Sequence, residues 1–257
     1  MKTFAAALMM TCLVAMLCFL SGAGQAADMR PKIAILPFDT SLGKNFKALG
    51  DGMPDIVTAC FTAENVFADI LDRSALSAIG AEQTINFDPS KIKKVEGVTH
   101  LLRGSLAPQD TGIIVTLMLY DLASTKLVAS VAASGDLADI PATACAGVRQ
   151  LGDKLSALSP VASPEKGMTD AQAEQSRLMI EGLGAYYNGA YEKAFPPFMK
   201  LMRADPTNAS AVYWLARSYQ GAGMDEQARL EFDRFLKDFP KDPRAPEVSG
   251  LLKEKKE

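Results

Sequence analysis

Apolar residues in the first half of the chain alternate between short continuous runs and positions spaced by three and four residues. The segment KIAILPFD at 32–39 is a continuous run bounded by polar residues, which is typical of a buried strand. The next polar and helix-breaking residues are Asp51, Pro54 and Asp55. We expect Pro54 to lie in the first turn of a helix and the two carboxylates to favour the start of that helix. That helix is predicted from the spacing of Met53, Ile56, Val57, Cys60 and Phe61.

The rest of this region continues the alternation. Strands are predicted at 66–74, 100–107, 112–121 and 126–134, and helices at 74–83 and about 139–157. The order β-α-β-α-β-β-β-α predicts an α/β fold with a mixed sheet and helices packed on it. The first two strands are joined through a helix and are expected to be parallel, whereas the last three form a meander.

Cys60 and Cys145 each lie on an apolar helical stripe of this region. If the first and last helices pack on the same face of the sheet, the two thiols could approach and form a disulfide. The alternative is two buried cysteines that behave as small hydrophobic residues. The sequence leaves both alternatives open.

The second half of the chain repeats itself with a period of 34 residues. The α/β domain is assigned to 30–157, and the Pro- and Gly-containing segment at 158–168 reads as a linker to a domain at 169–257. Within that domain the matching pairs are Gly189 and Gly223, Ala194 and Ala228, Phe198 and Phe232, and Pro206 and Pro240. This period and pattern resemble the tetratricopeptide repeat, an all-α unit of two helices.

The repeat predicts two units, Leu178 to Asn208 and Val212 to Asp242, followed by a polar capping helix at 245–256. Thr169 and Gln172 have the spacing of a capping box at the start of the first helix. Pro196 and Pro197 fall early in the second helix of the first unit. Because proline lacks a backbone donor, we expect that helix to start late or to kink.

The first helix of each tetratricopeptide unit lines the concave face of the array. Side chains at those positions are predicted to bind an extended or helical segment of a protein partner, because Tyr and Arg are favoured at binding hot spots. Asn208, at the junction of the units, is placed to clamp a peptide backbone. The groove residues are Met179, Leu183, Tyr186, Tyr187, Tyr213, Arg217 and Gln220. The alternative for each is simple packing, and Trp214 is assigned to the core.

The start of the chain has the pattern of a secretory signal peptide at 1–26. Lys2 precedes an apolar run at 4–20, and small residues follow up to Ala26, after which cleavage is expected. The protein is therefore predicted to be periplasmic or secreted. An uncleaved membrane anchor is the alternative, and a lipoprotein is disfavoured because Leu17 stands before Cys18, where a small residue is needed.

Charge and chemistry exclude other classes of function. The net charge of −3 argues against a nucleic-acid-binding protein, which needs a basic face. The single histidine, His100, has no catalytic partner in any motif, and no Cys/His cluster has metal-ligand spacing. No catalytic, metal-binding or cofactor-binding residue is assigned, and the protein is not expected to be an enzyme.

Five stretches of the α/β region carry a further motif pattern: IAILPFDTS, LGDGMPDIVTACF, ILDRSALSAIGAEQ, GVTHLLRGSL and VTLMLYDLASTKLVAS. In these stretches the region resembles the family of the TolB amino-terminal domain and the curli-secretion lipoprotein CsgG. Residues at matching motif positions are Asp72, Arg73, Glu82, Gln83, Gly104 and Asp121. The chain departs from the secretion-pore members because its loops lack long amphipathic hairpins, and Lys126 stands where the hairpin motif has Gly or Glu.

This resemblance implies an interaction or assembly module of the cell envelope. Together with the repeats, it predicts an exported protein–protein interaction scaffold or assembly factor, which could also form a homo-oligomer. One alternative is a subunit of an outer-membrane secretion or assembly apparatus. Another is a small-ligand-binding or enzymatic α/β domain, which would need a pocket with convergent polar groups.

Overall fold

The computed structural model describes residues 30–42, 47–66, 68–71, 97–110, 112–158 and 169–254. The chain divides into two units, Met1–Arg30 and Pro31–Glu257, and the description that follows concerns the second. Four sequence-based assignments lie outside the described residues. They are the signal peptide, the helix at 74–83, the linker beyond Leu158, and the motif positions Asp72, Arg73, Glu82 and Gln83.

The described elements of the α/β region follow the predicted order with one additional strand, at Asp39–Thr40, while the predicted helix at 74–83 lies outside the described residues. They are β1 (Lys32–Ile35), β2 (Asp39–Thr40), α1 (Lys47–Ala63), β3 (Asp69–Ile70), β4 (His100–Gln109), β5 (Gly112–Asp121), β6 (Leu127–Asp136) and α2 (Ile140–Leu158). The described strands form one mixed sheet in the order β3-β1-β4-β5-β6, with β2 pairing with β4. The pairing of β1 with β3 is parallel and the β4-β5-β6 meander is antiparallel, which confirms both predictions.

Helices α1 and α2 cover one face of this sheet, and the main hydrophobic core lies between them and the strands. Alternate residues of β5 point into it because side chains of a strand alternate between faces. Ile113, Val115, Leu117 and Leu119 are all fully buried there. Helix α1 contributes Met53 and the residues of its predicted stripe.

The structure differs from the prediction in the first strand and in the start of α1, and a proline is involved in each difference. The run at 32–39 is not a single strand, because Pro37 cannot donate to the ladder and the chain leaves the sheet there. Phe38 then donates its N–H to the carbonyl of Gly50 at 3.0 Å. That carbonyl is available because Pro54, four residues later, has no N–H to give it.

The prediction that Pro54 lies in a first turn is therefore wrong, since α1 already begins at Lys47. Asp51 and Asp55 stand beyond the first turn for the same reason, and the expectation that they favour the start of the helix is wrong as well. Pro54 instead joins α1 to the segment after β1, through the bond between Phe38 and Gly50.

The second half of the chain is helical, as predicted. Its helices are α3 (Asp170–Tyr187), α4 (Tyr191–Ala204), α5 (Ala209–Gly221), α6 (Asp225–Asp238) and α7 (Ala245–Glu254). The first four pack as the pairs α3 with α4 and α5 with α6, and α7 packs on α6. Gly189 and Gly223 take φ values of +71° and +73° in the turns between paired helices, which is why both repeats carry glycine there.

The other repeat positions also have the expected roles. Ala194 and Ala228 are buried where the paired helices meet, and Phe198 and Phe232 are buried beside them. Thr169 and Gln172 form the capping box at the start of α3. The prediction that Pro196 and Pro197 delay the start of α4 is wrong, because α4 begins at Tyr191. This start lies one 34-residue period before the start of α6 at Asp225. That the two prolines kink α4 stays a prediction.

Cys60 of α1 and Cys145 of α2 form a disulfide in the structure, with their Cα atoms 4.9 Å apart. Both helices lie on the same face of the sheet, which was the condition for this alternative. Arg149 of α2 adds a bidentate ion pair to Glu64, just after α1, at 2.7 Å. Helices α1 and α2 are therefore joined covalently, across 85 residues of sequence.

We expect reduction of this bond to destabilise the protein strongly. A cross-link that closes a loop of this length restricts the unfolded chain and contributes about 2–5 kcal/mol to the free energy of unfolding. The measurement is urea unfolding of the oxidised protein, the reduced protein and the Cys60→Ala/Cys145→Ala variant. The reduced protein and the variant should share one lowered midpoint; a midpoint unchanged by reduction would contradict the disulfide.

Candidate functional site

The concave face that the sequence assigned to a partner is covered in part by helix α1 of the same chain. Helix α1 packs along α3, and its residue Gly52 lies against Tyr187 of α3 and Trp214 of α5. A Cβ atom at position 52 would overlap the Tyr187 hydroxyl and come within 2.8 Å of the Trp214 ring. The absence of a side chain at Gly52 is therefore what lets α1 approach the repeats so closely.

One turn further along α1, Asp55 is the centre of a buried polar cluster. Its carboxylate accepts hydrogen bonds from Trp214 Nε1 and Ser210 Oγ, both at 2.7 Å, and from Arg244 Nη1 at 3.2 Å. Arg244 also forms a bidentate pair with Asp242 at 2.8 and 2.7 Å. Because a buried carboxylate needs compensating partners, this cluster fixes the position of α1 on the repeats.

The charges of the cluster favour its ionised form. The side chains of Arg244 and Asp55 are each only 6% exposed. Burial alone would lower the pKa of Arg244, but the carboxylates of Asp55 and Asp242 raise it above its ordinary value. Arg244 therefore stays charged, and its guanidinium also lies 4.6 Å from the centre of the Tyr213 ring.

Tyr213, predicted as a groove residue, is buried, with 4% of its surface exposed. Its hydroxyl donates to Glu247 of α7 at 3.1 Å, and its ring packs on Trp214 and Phe235. Burial is the main reason that the pKa of Tyr213 lies well above its ordinary value. Tyr213 thus holds the capping helix against α5.

Tyr186 and Tyr187, the other predicted groove tyrosines, belong to the same aromatic cluster. Both rings meet Trp214 edge-on, with centroids 5.0 and 5.7 Å away, and Tyr186 also packs on Tyr191 of α4. Burial raises the pKa of Tyr187 well above its ordinary value. The assignment of Trp214 to the core is confirmed, since it is 2% exposed.

Three further predicted residues are also engaged within the chain. Met179 is 7% exposed and packs in the core of the repeats, where Leu183 is fully buried. The side-chain oxygen of Asn208 accepts the N–H of Ala211 at 3.0 Å and caps α5. Its predicted role in clamping a peptide would require a partner to compete with this cap.

Arg217 and Gln220, on the last two turns of α5, are partly exposed, as are Tyr186, Tyr187 and Asn208. The side chain of Arg217 is 17% exposed and donates from Nη1 to Glu247 at 2.8 Å. Burial opposes its charge, yet Tyr213, Tyr186 and Glu247 raise its pKa. We call Tyr186, Arg217, Gln220 and Glu247 the groove rim, a polar and aromatic surface at the edge of the concave face.

The residues that the sequence analysis missed are those that join the two regions. Gly52, Asp55, Ser210 and Arg244 carry no motif, and each was assigned to local structure or not assigned at all. The available signal was a largely apolar helix that contains two aspartates and two glycines, because such residues are unusual on a helix that is buried.

Three further observations concern metal groups, clefts and membrane spans in the described part of the chain. No group of three or more His, Cys, Asp or Glu side chains there could hold a metal ion. A cleft of about 210 Å³ lies between α6 and α7, lined by Arg229, Asp233, Ser249, Leu252 and Lys253, and it is smaller than ordinary small-ligand pockets. None of the helices that the structure describes has the length and apolar character needed to cross a membrane.

Comparison with known proteins identifies the repeats. The tetratricopeptide repeat family matches residues 185–248. No curated protein matches the chain in sequence. TolB from Acinetobacter baumannii is 20% identical over 53% of this chain with a TM-score of 0.33, and this chain spans 30% of its length. A PelC variant from Paraburkholderia phytofirmans, solved as a dodecamer, is 14% identical in sequence with a TM-score of 0.32. The match covers 49% of this chain and 89% of the PelC chain.

The contact at Gly52 leads to a prediction with a matched control. Gly52→Ala should lower the free energy of unfolding by about 1–3 kcal/mol, because the added methyl forces α1 away from Tyr187 and Trp214. Gly250→Ala, in helix α7, meets no atom within 4 Å and should raise it by up to about 1 kcal/mol through helix propensity. Both are measured by urea unfolding, and equal effects of the two substitutions would contradict the packing described here.

The Asp55 cluster predicts an energetic coupling between the two halves of the chain. Asp55→Asn should cost about 1–3 kcal/mol of stability, because Trp214 and Arg244 lose a charged acceptor. In a cycle of Asp55→Asn with Arg244→Met, the two losses should be less than additive by at least about 1 kcal/mol.

The control for this cycle is Asp153→Asn, which changes an exposed carboxylate on the neighbouring helix α2. Its effect should stay within about 0.5 kcal/mol, as for other surface substitutions. Strict additivity of the Asp55 and Arg244 substitutions would mean that the two side chains do not interact in solution.

Proposed function

We propose that the chain is an exported protein of the cell envelope that acts as a protein–protein interaction scaffold or assembly factor. The observation that carries the proposal is the tetratricopeptide family match at 185–248, which runs from the end of α3 through α4, α5 and α6 to the start of α7. Arrays of this kind present a continuous surface, rather than a catalytic cavity, to their partners.

Two observations support export. The first 26 residues have the pattern of a signal peptide. Cys60 and Cys145 form a disulfide, and such bonds persist in oxidising compartments such as the bacterial periplasm but are rare in the cytosol. Neither observation depends on the other, since the leader and the disulfide are in different parts of the chain.

The partner site that we propose is the groove rim rather than the floor of the groove. Tyr213 and Trp214 are buried against α7 and α1 and cannot be reached without displacing one of these helices. Tyr187 is partly exposed, but α1 packs over its hydroxyl at Gly52. Arg217 and Gln220 remain partly exposed. An extended segment of a partner that carries a carboxylate or a backbone carbonyl would accept hydrogen bonds from the exposed parts of these two side chains.

We test the scaffold by in-cell crosslinking and recovery of the full chain from the envelope fraction. The intact protein is compared with the rim variant Arg217→Ala/Gln220→Ala and with Glu226→Ala/Arg229→Ala, two exposed positions on α6 away from the rim. The intact protein and the α6 variant should recover the same discrete envelope protein. The rim variant should recover it at least about tenfold less, since truncating a hot spot costs at least about 1.4 kcal/mol.

Each other outcome of the crosslinking has a distinct meaning. Equal recovery by all three proteins would place the partner site elsewhere and contradict the rim. Recovery of no protein partner by any of them would contradict the scaffold function itself. Presence of the chain in the cytoplasmic fraction alone, with free thiols at Cys60 and Cys145, would contradict export.

A further inference from the structure

The groove rim continues onto the start of α4 through the side chain of Tyr191. The Tyr191 ring meets the ring of Tyr186 edge-on, with the two centroids 5.4 Å apart. It also lies against the end of α5, where a Cβ atom on Gly221 would come within 2.6 Å of the ring. Tyr186 and Tyr191 are both partly exposed. Two aromatic rings set at an angle therefore stand at the surface, next to the end of α5 that carries Gln220.

The polar side chains beside these two rings can donate hydrogen bonds to a partner. Arg217 can only donate, and the Gln220 amide and the Tyr191 hydroxyl can donate as well, since both residues are partly exposed. The carboxylate of the groove rim, on Glu247, already accepts hydrogen bonds from Tyr213 and Arg217. A segment that binds here therefore has to supply acceptors, and any N–H groups of its own would compete for Glu247.

Three recurring modes of peptide recognition do not fit this surface. Addition to a strand edge needs a strand, whereas the groove rim and Tyr191 lie on α3, α4, α5 and α7. A helix laid in the concave groove would need the place that α1 occupies. An acidic motif would bring its carboxylates beside Glu247, which already pairs with Arg217 at 2.8 Å.

We propose that the groove rim and Tyr191 bind a proline-rich segment of the partner in the polyproline II conformation. This inference rests on the proposed function and names the chemical class of the partner segment. Proline-rich segments dock on aromatic-lined surfaces, and a proline residue presents a carbonyl but no N–H. Its backbone therefore gives acceptors to Arg217, Gln220 and Tyr191 without adding a donor that Glu247 would have to satisfy.

The conformation of such a segment also favours binding to a shallow surface. Polyproline II is extended and fully solvated before binding, and it has no internal hydrogen bonds to break. Because the proline rings already restrict the chain, little conformational entropy is lost when it docks. The rings of Tyr186 and Tyr191 supply apolar contact for the proline side chains, at a small entropic cost of their own.

The test is isothermal titration calorimetry of the oxidised full chain with three synthetic peptides of equal length. One contains only proline, one alternates glycine with serine, and one alternates glycine with glutamate. The proline peptide should bind at least about tenfold more tightly than either of the others, because the flexible glycine-containing chains lose more freedom on binding.

Two substitutions locate the site on the structure. Gln220→Ala removes a donor, and Tyr191→Leu removes an aromatic ring and a hydroxyl but keeps an apolar side chain. Each should weaken binding of the proline peptide about threefold to tenfold. The control is Glu226→Ala/Arg229→Ala on α6, which should leave it unchanged. Far-ultraviolet circular dichroism checks the fold of each variant, and Gln220→Ala keeps the test decisive if Tyr191→Leu fails to fold.

The peptide series and the variants decide the proposal together. Equal affinity for the three peptides would overturn it, as would tighter binding of the glutamate peptide, which would indicate an acidic partner. Binding of the proline peptide that neither substitution weakens would place the site elsewhere and overturn it too. If crosslinking recovers an envelope partner through the groove rim but the proline peptide does not bind, the scaffold function stands and the proline-rich class is wrong.

Discussion

The position of helix α1 on the helical repeats depends on one buried carboxylate. Asp55 accepts hydrogen bonds from Trp214, Ser210 and Arg244 in a site where its side chain is 6% exposed. Replacing such a cluster by apolar residues can be neutral, but removing one member leaves an uncompensated charge. The cluster therefore fixes the position of α1 more than it adds to the free energy of unfolding. Helix α1 can be buried on the repeats only where Asp55 meets its three hydrogen-bond donors.

The other features of α1 serve the same arrangement. Pro54 frees the Gly50 carbonyl, which Phe38 uses, and the disulfide from Cys60 to Cys145 holds the helix to α2. Gly52 removes the side chain that would otherwise keep Tyr187 and Trp214 away. Helix α1 is thus bonded to the sheet side through its backbone and its cysteine, and to the repeats through Asp55. The α/β elements and the repeats share a single buried helix, and α1 occupies in cis the place where tetratricopeptide arrays ordinarily receive a partner.

Local patterns explain what the sequence could predict. The order of strands, the meander and the repeat helices follow from hydrophobic spacing and from glycines at positive φ, all of which act over a few residues. The groove was predicted from repeat position alone, and repeat position says nothing about which other segment of the chain covers a face. The bond between Asp55 and Trp214 spans 159 residues, and no local pattern reports a contact of that range. The start of α1 was placed too late because Pro54 looked like a first-turn residue. In the structure Pro54 lies inside the helix, and the Gly50 carbonyl that it leaves without a donor accepts the N–H of Phe38.

We infer that helix α1 holds the sheet and the repeats together as one cooperative unit. Trp214 is the only tryptophan of the chain, so its fluorescence reports unfolding of the repeats at one known place. Hydrogen exchange of the β5 amides, measured in the same urea series, reports unfolding of the sheet. The account predicts that the two transitions have the same midpoint and slope, because neither half can lose α1 without exposing Asp55 and its partners. A Trp214 transition that is complete while the β5 amides remain protected would contradict it.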